Sequence, residues 1–142
     1  MTAVDTSVAV AGFASWHEDH EVALKTLLPG VRLIGHVALE TYAVLTRLPP
    51  PHRAPAPLVM EFLSRNFAAP LLVLSARDHG RLLSALASAG LTGGATYDAL
   101  VGATALRAGE TLVTLDRRAL STYELVGATA HLLSTQPKKG GR

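Results

Sequence analysis

Four carboxylate residues stand inside stretches of otherwise apolar sequence. The 142-residue chain has only eleven Asp and Glu residues in all. Asp5 interrupts an N-terminal run of Ala and Val, and Glu40 lies on the apolar face of a helical pattern. Asp98 stands near the start of the most apolar helical segment, and Asp116 ends an apolar strand pattern. Because a lone buried carboxylate is costly unless it is paired or binds a cation, these positions are candidates for a site.

A cluster of carboxylates favours a hard cation. Four converging acids would repel one another, and an all-oxygen cluster suits Mg²⁺ or Mn²⁺ better than Zn²⁺. The chain has no cysteine, which excludes thiolate ligands and thiol catalysis. Such a centre suits phosphodiester hydrolysis, because a bound divalent ion lowers the pKa of a water molecule. Arg117 and Arg118 directly follow Asp116 and are candidates for phosphate contacts, although they equally suit a solvated surface.

Each acid also has a purely structural interpretation. Asp5 could begin a turn through a local backbone hydrogen bond, and Glu40 could be a solvated helix residue. Asp98 could favour a helix N-terminus through the helix dipole. Asp116 could pair with one of the arginines that follow it. His36, one helical turn before Glu40, could either orient that carboxylate or cap the helix.

The elements that must position these acids alternate between strand and helix patterns. The predicted strands are residues 2–10, 31–34, 71–74 and 111–115, with a last edge strand at 125–128. The predicted helices are 16–28, 37–48 and 58–67, one that opens with a capping box at Ser75 and runs to about residue 89, and 95–108 with Gly109 as its C-cap. This alternation predicts an α/β fold of three layers, α/β/α, around a central, mainly parallel sheet. Sites in such sheets form beyond the carboxyl ends of the strands, where Asp5 and Asp116 fall.

Composition is consistent with one compact domain. Hydrophobic residues make up 49% of the chain and charged residues 17%, and the net charge is +2. We expect a single domain over residues 1–133 and a disordered basic tail over 134–142. The N-terminus does not resemble a signal peptide, and no uninterrupted apolar run is long enough for a bilayer, so the prediction is a cytoplasmic protein without membrane association.

Four segments together resemble the motifs of PIN-domain ribonucleases of the VapC type, the toxins of type II toxin–antitoxin systems. They are residues 4–7, 39–48, 97–105 and 112–118, which carry Asp5, Glu40, Asp98 and Asp116 in that order. The similarity extends from residue 2 to about residue 133. Any one motif is weak, but four in order in a chain of this size are fairly specific.

The resemblance implies an endoribonuclease that depends on Mg²⁺, with Mn²⁺ as a substitute. By position, Asp5, Asp98 and Asp116 would be metal ligands, and Glu40 would act directly or through metal-bound water. Thr114 would support a site carboxylate by a hydrogen bond. The family also implies a structured RNA substrate such as transfer or ribosomal RNA, a cognate VapB-like antitoxin and a homodimer. Residues 37–67 could supply a groove for the antitoxin.

Three other functions compete with this interpretation. One is a catalytically inactive PIN-like module that binds RNA or protein, against which the retention of all four acids argues. Another is a response-regulator-like phosphoryl-transfer protein, but no lysine occurs between Lys25 and Lys138. A third is a DNA-directed nuclease of the same fold, which the small size of the chain disfavours by analogy only.

Overall fold

A computed structural model describes residues 1–134 of the chain. Four short strands form one sheet in the order β2-β1-β3-β4, and every neighbouring pair is parallel. The strands are β1 Thr2–Val4, β2 Arg32–Leu33, β3 Thr111–Thr114 and β4 Ala130–Leu132. The helices are α1 Thr6–Phe13, α2 His20–Thr26, α3 Gly35–Arg47, α4 Ala56–Asn66, α5 Ala76–Ala89, α6 Ala95–Arg107 and α7 Leu120–Leu125, with a short 3-10 helix at Arg117–Ala119.

The predicted fold class is confirmed: helices and a parallel sheet form a three-layer α/β/α domain. Helices α1 to α4 pack on one another, and α6 packs on α5 and α7. The central strands β1 and β3 are almost entirely buried, because both are flanked by strands and covered by helices. Their carboxyl ends, at Val4 and Thr114, lie on neighbouring strands at the same edge of the sheet.

The predicted first strand is too long. It ends at Val4, and residues 6–13 form α1 instead. The carboxylate of Asp5 accepts a hydrogen bond from the backbone N–H of Val8, which is the N-cap arrangement that starts a helix. The β-branched residues Val8 and Val10 therefore lie in a helix whose apolar surface is covered by the rest of the protein.

Two other predicted strands are also wrong. Residues 71–74 make only an isolated bridge, between Leu72 and Ile34, because that segment meets the sheet at one point beyond β2. The expected edge strand at 125–128 is instead the end of α7 and a turn in which Gly127 has a φ of +91°. The true edge strand, β4, begins at Ala130.

The predicted positions of α5 and α6 are confirmed. Ser75 accepts a hydrogen bond from the backbone N–H of Asp78 at 3.1 Å, so the predicted capping residue starts α5. The Asp78 carboxylate does not complete the capping box but lies 3.1 Å from Nε of Arg107. Helix α6 ends just before Gly109, whose φ of +70° is the left-handed conformation expected after a helix C-terminus.

The predicted basic tail lies outside the described residues except for Ser134. Within residues 1–134, the helices are too short or too polar to cross a membrane.

Candidate active site

Asp5 lies at the carboxyl end of β1, where the strand passes directly into α1. Only 3% of the residue is exposed. Its Oδ1 accepts hydrogen bonds from the hydroxyl of Ser7 and from the backbone N–H of Val8 at 3.3 Å, and its Oδ2 accepts one from the Tyr123 hydroxyl at 2.8 Å. Burial raises the pKa of the Asp5 carboxyl, and these hydrogen bonds, together with the nearby Thr114 hydroxyl, oppose the rise. Asp5 is therefore held rigidly by donors on several sides.

The end of β3 is tied to the end of β1 through hydroxyl groups. The Ser7 hydroxyl accepts the backbone N–H of Leu115 at 2.8 Å and lies 3.4 Å from the Thr114 hydroxyl. The Thr114 hydroxyl in turn accepts the backbone N–H of Asp116 at 2.9 Å. This chain of hydrogen bonds fixes the turn after β3, and with it Asp116, relative to Asp5.

Glu40 reaches the same region from α3. Its Oε1 accepts a hydrogen bond from the Thr6 hydroxyl, which stands on the first turn of α1. Its Oε2 lies 3.7 Å from Nε2 of His36, one turn earlier on the same helix. The Glu40 side chain is 42% exposed, so one part of the carboxylate is anchored and the rest remains open to solvent.

Asp98 stands on the first turn of α6 and is half-buried. The pKa of its carboxyl is raised, first by burial and then by the negative charges of Asp116, Glu40 and Asp5; the charge of Arg118 opposes the rise. The charges of three acids that are distant in sequence thus reach Asp98, so the four predicted acids lie in one region of the fold.

The two arginines after Asp116 are exposed. The backbone N–H of Arg118 donates to Oδ1 of Asp116 at 3.0 Å, and Nε of Arg118 lies 3.7 Å from the same oxygen. Asp116 therefore caps the 3-10 helix and lies beside an arginine, as its structural interpretation suggested. Because the Arg118 side chain is 92% exposed, it stays free to reach an anionic ligand.

The ligand atoms that these acids offer are of the type that binds a hard divalent cation. All four acids offer carboxylate oxygens, and the mutual repulsion that raises the pKa of Asp98 is the field that a cation would neutralise. As the side chains stand, no three His, Asp or Glu residues within positions 1–134 are grouped closely enough to hold an ion. Asp98, Asp116 and Glu40 are only partly buried, so their side chains have room to adjust.

Sequence reasoning assigned no role to three hydroxyl residues of this site. Thr6 and Ser7 belong to the segment that carries Asp5, and their polarity beside a buried acid was the available signal. Tyr123 is 2% exposed and lies in α7, 118 residues after Asp5, so no local pattern links the two.

Comparison with known proteins agrees with the fold. The PIN domain family model matches residues 2–125. Ribonuclease VapC40 of Mycobacterium tuberculosis, in strains CDC 1551 and H37Rv, is 52% identical over 134 residues, which cover 94% of this chain and all of the relative. Ribonuclease VapC27 of M. tuberculosis H37Rv is 43% identical over 126 residues, which cover 88% of this chain and 91% of that protein. The chain therefore belongs to the PIN-domain family. Within that family it is a protein of the VapC ribonuclease toxin type.

Proposed function

We propose that this protein is an endoribonuclease toxin that hydrolyses phosphodiester bonds in structured RNA, such as transfer or ribosomal RNA, with Mg²⁺ or Mn²⁺. The observation that carries the proposal is the placement of four carboxylates near the carboxyl edge of the sheet: Asp5 follows β1, Asp116 follows the neighbouring β3, and Glu40 accepts a hydrogen bond from Thr6 on α1. Burial and the charges of these three acids raise the pKa of the fourth, Asp98. Apolar packing alone gives no reason to bring four like charges together, whereas a divalent cation that assists phosphodiester hydrolysis is held by carboxylate oxygens.

The roles of the acids follow from how each is held. Asp5, Asp98 and Asp116 would hold the cation, which when bound supplies a nucleophilic water at neutral pH and neutralises charge on the phosphate. Asp5 is the rigid member, since it is buried and accepts several hydrogen bonds. Glu40 has a side chain that is 42% exposed, so it is anchored by Thr6 and free to meet substrate or solvent. Its exposed oxygen suits proton transfer to or from the attacking water.

Positive charge for the RNA backbone stands beside this centre. Arg117 and Arg118 are exposed and directly follow Asp116. Phosphate contacts from arginine position a nucleic acid without reading its sequence. Replacing both with alanine should raise the KM for RNA more than it lowers kcat, and should weaken the salt dependence of binding.

The decisive experiment is cleavage of total RNA by the purified chain, free of any partner, in Mg²⁺ or Mn²⁺. EDTA and Asp98→Asn are the negative controls, and Asp19→Asn is the matched carboxylate variant outside the site. We expect discrete products that disappear with EDTA and with Asp98→Asn but persist with Asp19→Asn. Cleavage that survives both negative controls would refute the four-carboxylate site. A folded wild-type protein that cuts no RNA would instead indicate an inactive PIN-like binding module.

We further propose that a VapB-like antitoxin covers the groove between α3 and α4. Apolar side chains line this groove of about 630 Å³, and Leu39, Met60 and Leu71 on its walls are each at least half exposed. An amphipathic helix or extended segment would bury them. Leu39→Asp should abolish binding of the cognate antitoxin in a pull-down and leave RNA cleavage intact. Equal binding by Leu39→Asp would exclude this groove.

A second exposed apolar surface, on the side of the molecule formed by α5, α6 and α7, supports the proposal of a homodimer. Leu106 and Leu125 line a groove of about 510 Å³ on this side and are each about half exposed or more. A solvent-exposed group of this kind is common at interfaces between protein chains. Light scattering of the purified protein should give the mass of a dimer, and Leu125→Glu should give a monomer. A wild-type monomer at micromolar concentration would contradict this part of the proposal.

A further inference from the structure

Two aromatic rings stack at the rim of the acidic site. The Tyr97 ring, immediately before Asp98 on α6, lies parallel to the His36 ring, with 5.2 Å between ring centroids and 1° between planes. His36 stands on the first turn of α3, where its Nε2 is buried and 3.7 Å from Oε2 of Glu40. The ring pair therefore links the two helices that carry Glu40 and Asp98.

The orientation of Tyr97 is fixed although the residue is exposed. One ring face lies against His36, and offset parallel stacking at this separation is a favourable arrangement. The residue is nevertheless 56% exposed, which leaves surface for a second stacking partner. Single exposed aromatics are common on protein surfaces and need no explanation. This ring differs because it is held in place directly beside the carboxylates that would act on a phosphodiester.

A flat, fixed ring next to a phosphate-cleaving centre is suited to bind a nucleobase. Proteins recognise RNA mainly at unpaired nucleotides, whose bases can leave the helix and stack on aromatic side chains. Such stacking tolerates any base, because every base has a π face. Within a paired RNA helix the base faces are already covered, so the ring would have no partner there.

We infer that Tyr97, held by His36, is a stacking platform for an unpaired nucleobase adjacent to the cleaved phosphodiester bond. The inference rests on the proposed RNA cleavage and narrows the proposed substrate. The RNA at the site is a single-stranded segment, such as a loop of a structured RNA. Tyr97 is thus a substrate-positioning residue, and His36 positions Tyr97.

The test measures binding separately from cleavage. A short, fluorescein-labelled single-stranded RNA is titrated with protein in an Asp116→Asn background, in which cleavage should be absent. Tyr97→Ala should raise the Kd about 10-fold, within the range measured for loss of one base–aromatic stack. Tyr97→Phe should bind like the parent, since it keeps the ring. Tyr97→Leu should bind like Tyr97→Ala, since it keeps the bulk but not the ring.

A matched control exists at a distance from the acidic site. Trp16 is 48% exposed and its ring packs against that of His52 at 4.2 Å, but it follows the end of α1 that points away from Asp5. Trp16→Ala should leave the Kd for RNA unchanged. Melting temperatures of all variants show whether a loss of binding reflects loss of the fold.

An abasic scan identifies the stacked base. Each nucleotide of the RNA is replaced in turn by an abasic one, and one position should weaken binding to the parent about as much as Tyr97→Ala does. The same abasic RNA should bind Tyr97→Ala no more weakly than intact RNA, because the stack is already lost. Additive effects of the two changes, or an unchanged Kd in Tyr97→Ala, would overturn the inference.

The outcomes separate this inference from the proposed function. Wild-type cleavage of RNA with no effect of Tyr97→Ala on Kd or KM would refute the platform and leave the nuclease intact. Absence of cleavage with a Tyr97-dependent Kd would refute the nuclease and leave a base-binding site. If Tyr97→Ala weakens binding of the antitoxin and not of RNA, the ring belongs to the protein interface and the platform is refuted.

Discussion

The hydroxyl of Tyr123 donates a 2.8 Å hydrogen bond to Oδ2 of Asp5, across 118 residues of sequence. Burial, followed by the charge and hydrogen bond of Asp5, raises the pKa of Tyr123 well above its ordinary range, so the phenol remains a donor at every physiological pH. Helix α7 therefore has a function beyond packing: it supplies a permanent donor to the least exposed carboxylate of the site.

Removing this donor should affect both stability and the pH dependence of activity. Tyr123→Phe leaves a buried carboxylate oxygen without its partner, which should lower the free energy of unfolding at pH 7 by about 1–3 kcal/mol. It also removes an interaction that holds the pKa of Asp5 down. The acid limb of the kcat profile should therefore move to higher pH. Urea unfolding and cleavage rates across pH measure the two effects.

The control for this prediction is Tyr42→Phe, which removes a hydroxyl from a partly exposed tyrosine on α3. That change should stay within roughly 0.5 kcal/mol and leave the pH profile in place. A Tyr123→Phe protein indistinguishable from Tyr42→Phe in both measurements would show that the hydrogen bond contributes nothing to Asp5.

Asp98 should destabilise the protein when no cation is bound. Because the pKa of its carboxyl is raised above the ordinary 3.8, the folded protein holds the proton more tightly than the unfolded chain does. The free energy of unfolding therefore falls as the pH rises from about 3.8 through the raised folded-state pKa. In EDTA at pH 7, Asp98→Asn should melt roughly 2–4 °C above wild type. This difference in melting temperature should shrink as the pH falls towards 3.8, the ordinary pKa of an aspartic acid side chain.

Added Mg²⁺ should reverse this order. A ligand that binds only the folded state raises the melting temperature, so wild type should gain stability with Mg²⁺ and Asp98→Asn should gain much less. Asp19→Asn, outside the site, should respond like wild type. Equal stabilisation of wild type and Asp98→Asn by Mg²⁺ would mean that the ion binds elsewhere.

The Thr6 hydroxyl should be needed for turnover and not for folding. It donates to Oε1 of Glu40, and both residues are only partly buried. Thr6→Val keeps the shape but lets the carboxylate move, which should lower kcat about 10-fold with little change in KM, because small displacements at a reacting centre are costly. Thr6→Ser, which keeps the hydroxyl, should retain most activity. A Thr6→Val enzyme with wild-type kcat would exclude this positioning role.

The fold class and the acidic positions could be predicted because they leave local signals. A carboxylate within an apolar pattern is conspicuous, as at Asp98, and the alternation of strand and helix patterns is enough to predict a parallel sheet. The charges of the other three predicted acids reach Asp98, and α5 begins at the predicted cap, Ser75.

Other features depend on tertiary contacts that no short segment records. Val8 and Val10 favour a strand by type, yet the cap at Asp5 and burial against other helices place them in α1. Residues 71–74 have strand composition but meet the sheet at one bridge only. The hydrogen bond between Tyr123 and Asp5 likewise leaves no local signal in the sequence, because it forms where α7 packs on α6.

The packing of α7 on α6 depends on Gly102, which has no side chain to separate the two helices. Replacement by alanine should therefore lower the stability at Gly102 but raise it at Gly80, a glycine in α5. A Cβ at Gly102 would lie 2.8 Å from Cγ2 of Val126 and 3.3 Å from the backbone of Tyr123, so α7 would have to move. Gly102→Ala should cost about 1–3 kcal/mol of unfolding free energy and, by shifting Tyr123, should lower kcat as well. A Cβ at Gly80 of α5 would meet no atom within 4 Å, so Gly80→Ala should stabilise by about 0.5–1 kcal/mol without affecting cleavage. Urea unfolding and cleavage rates of both variants measure these effects. If Gly102→Ala is as stable and as active as Gly80→Ala, the close approach of α6 and α7 does not hold Tyr123 against Asp5.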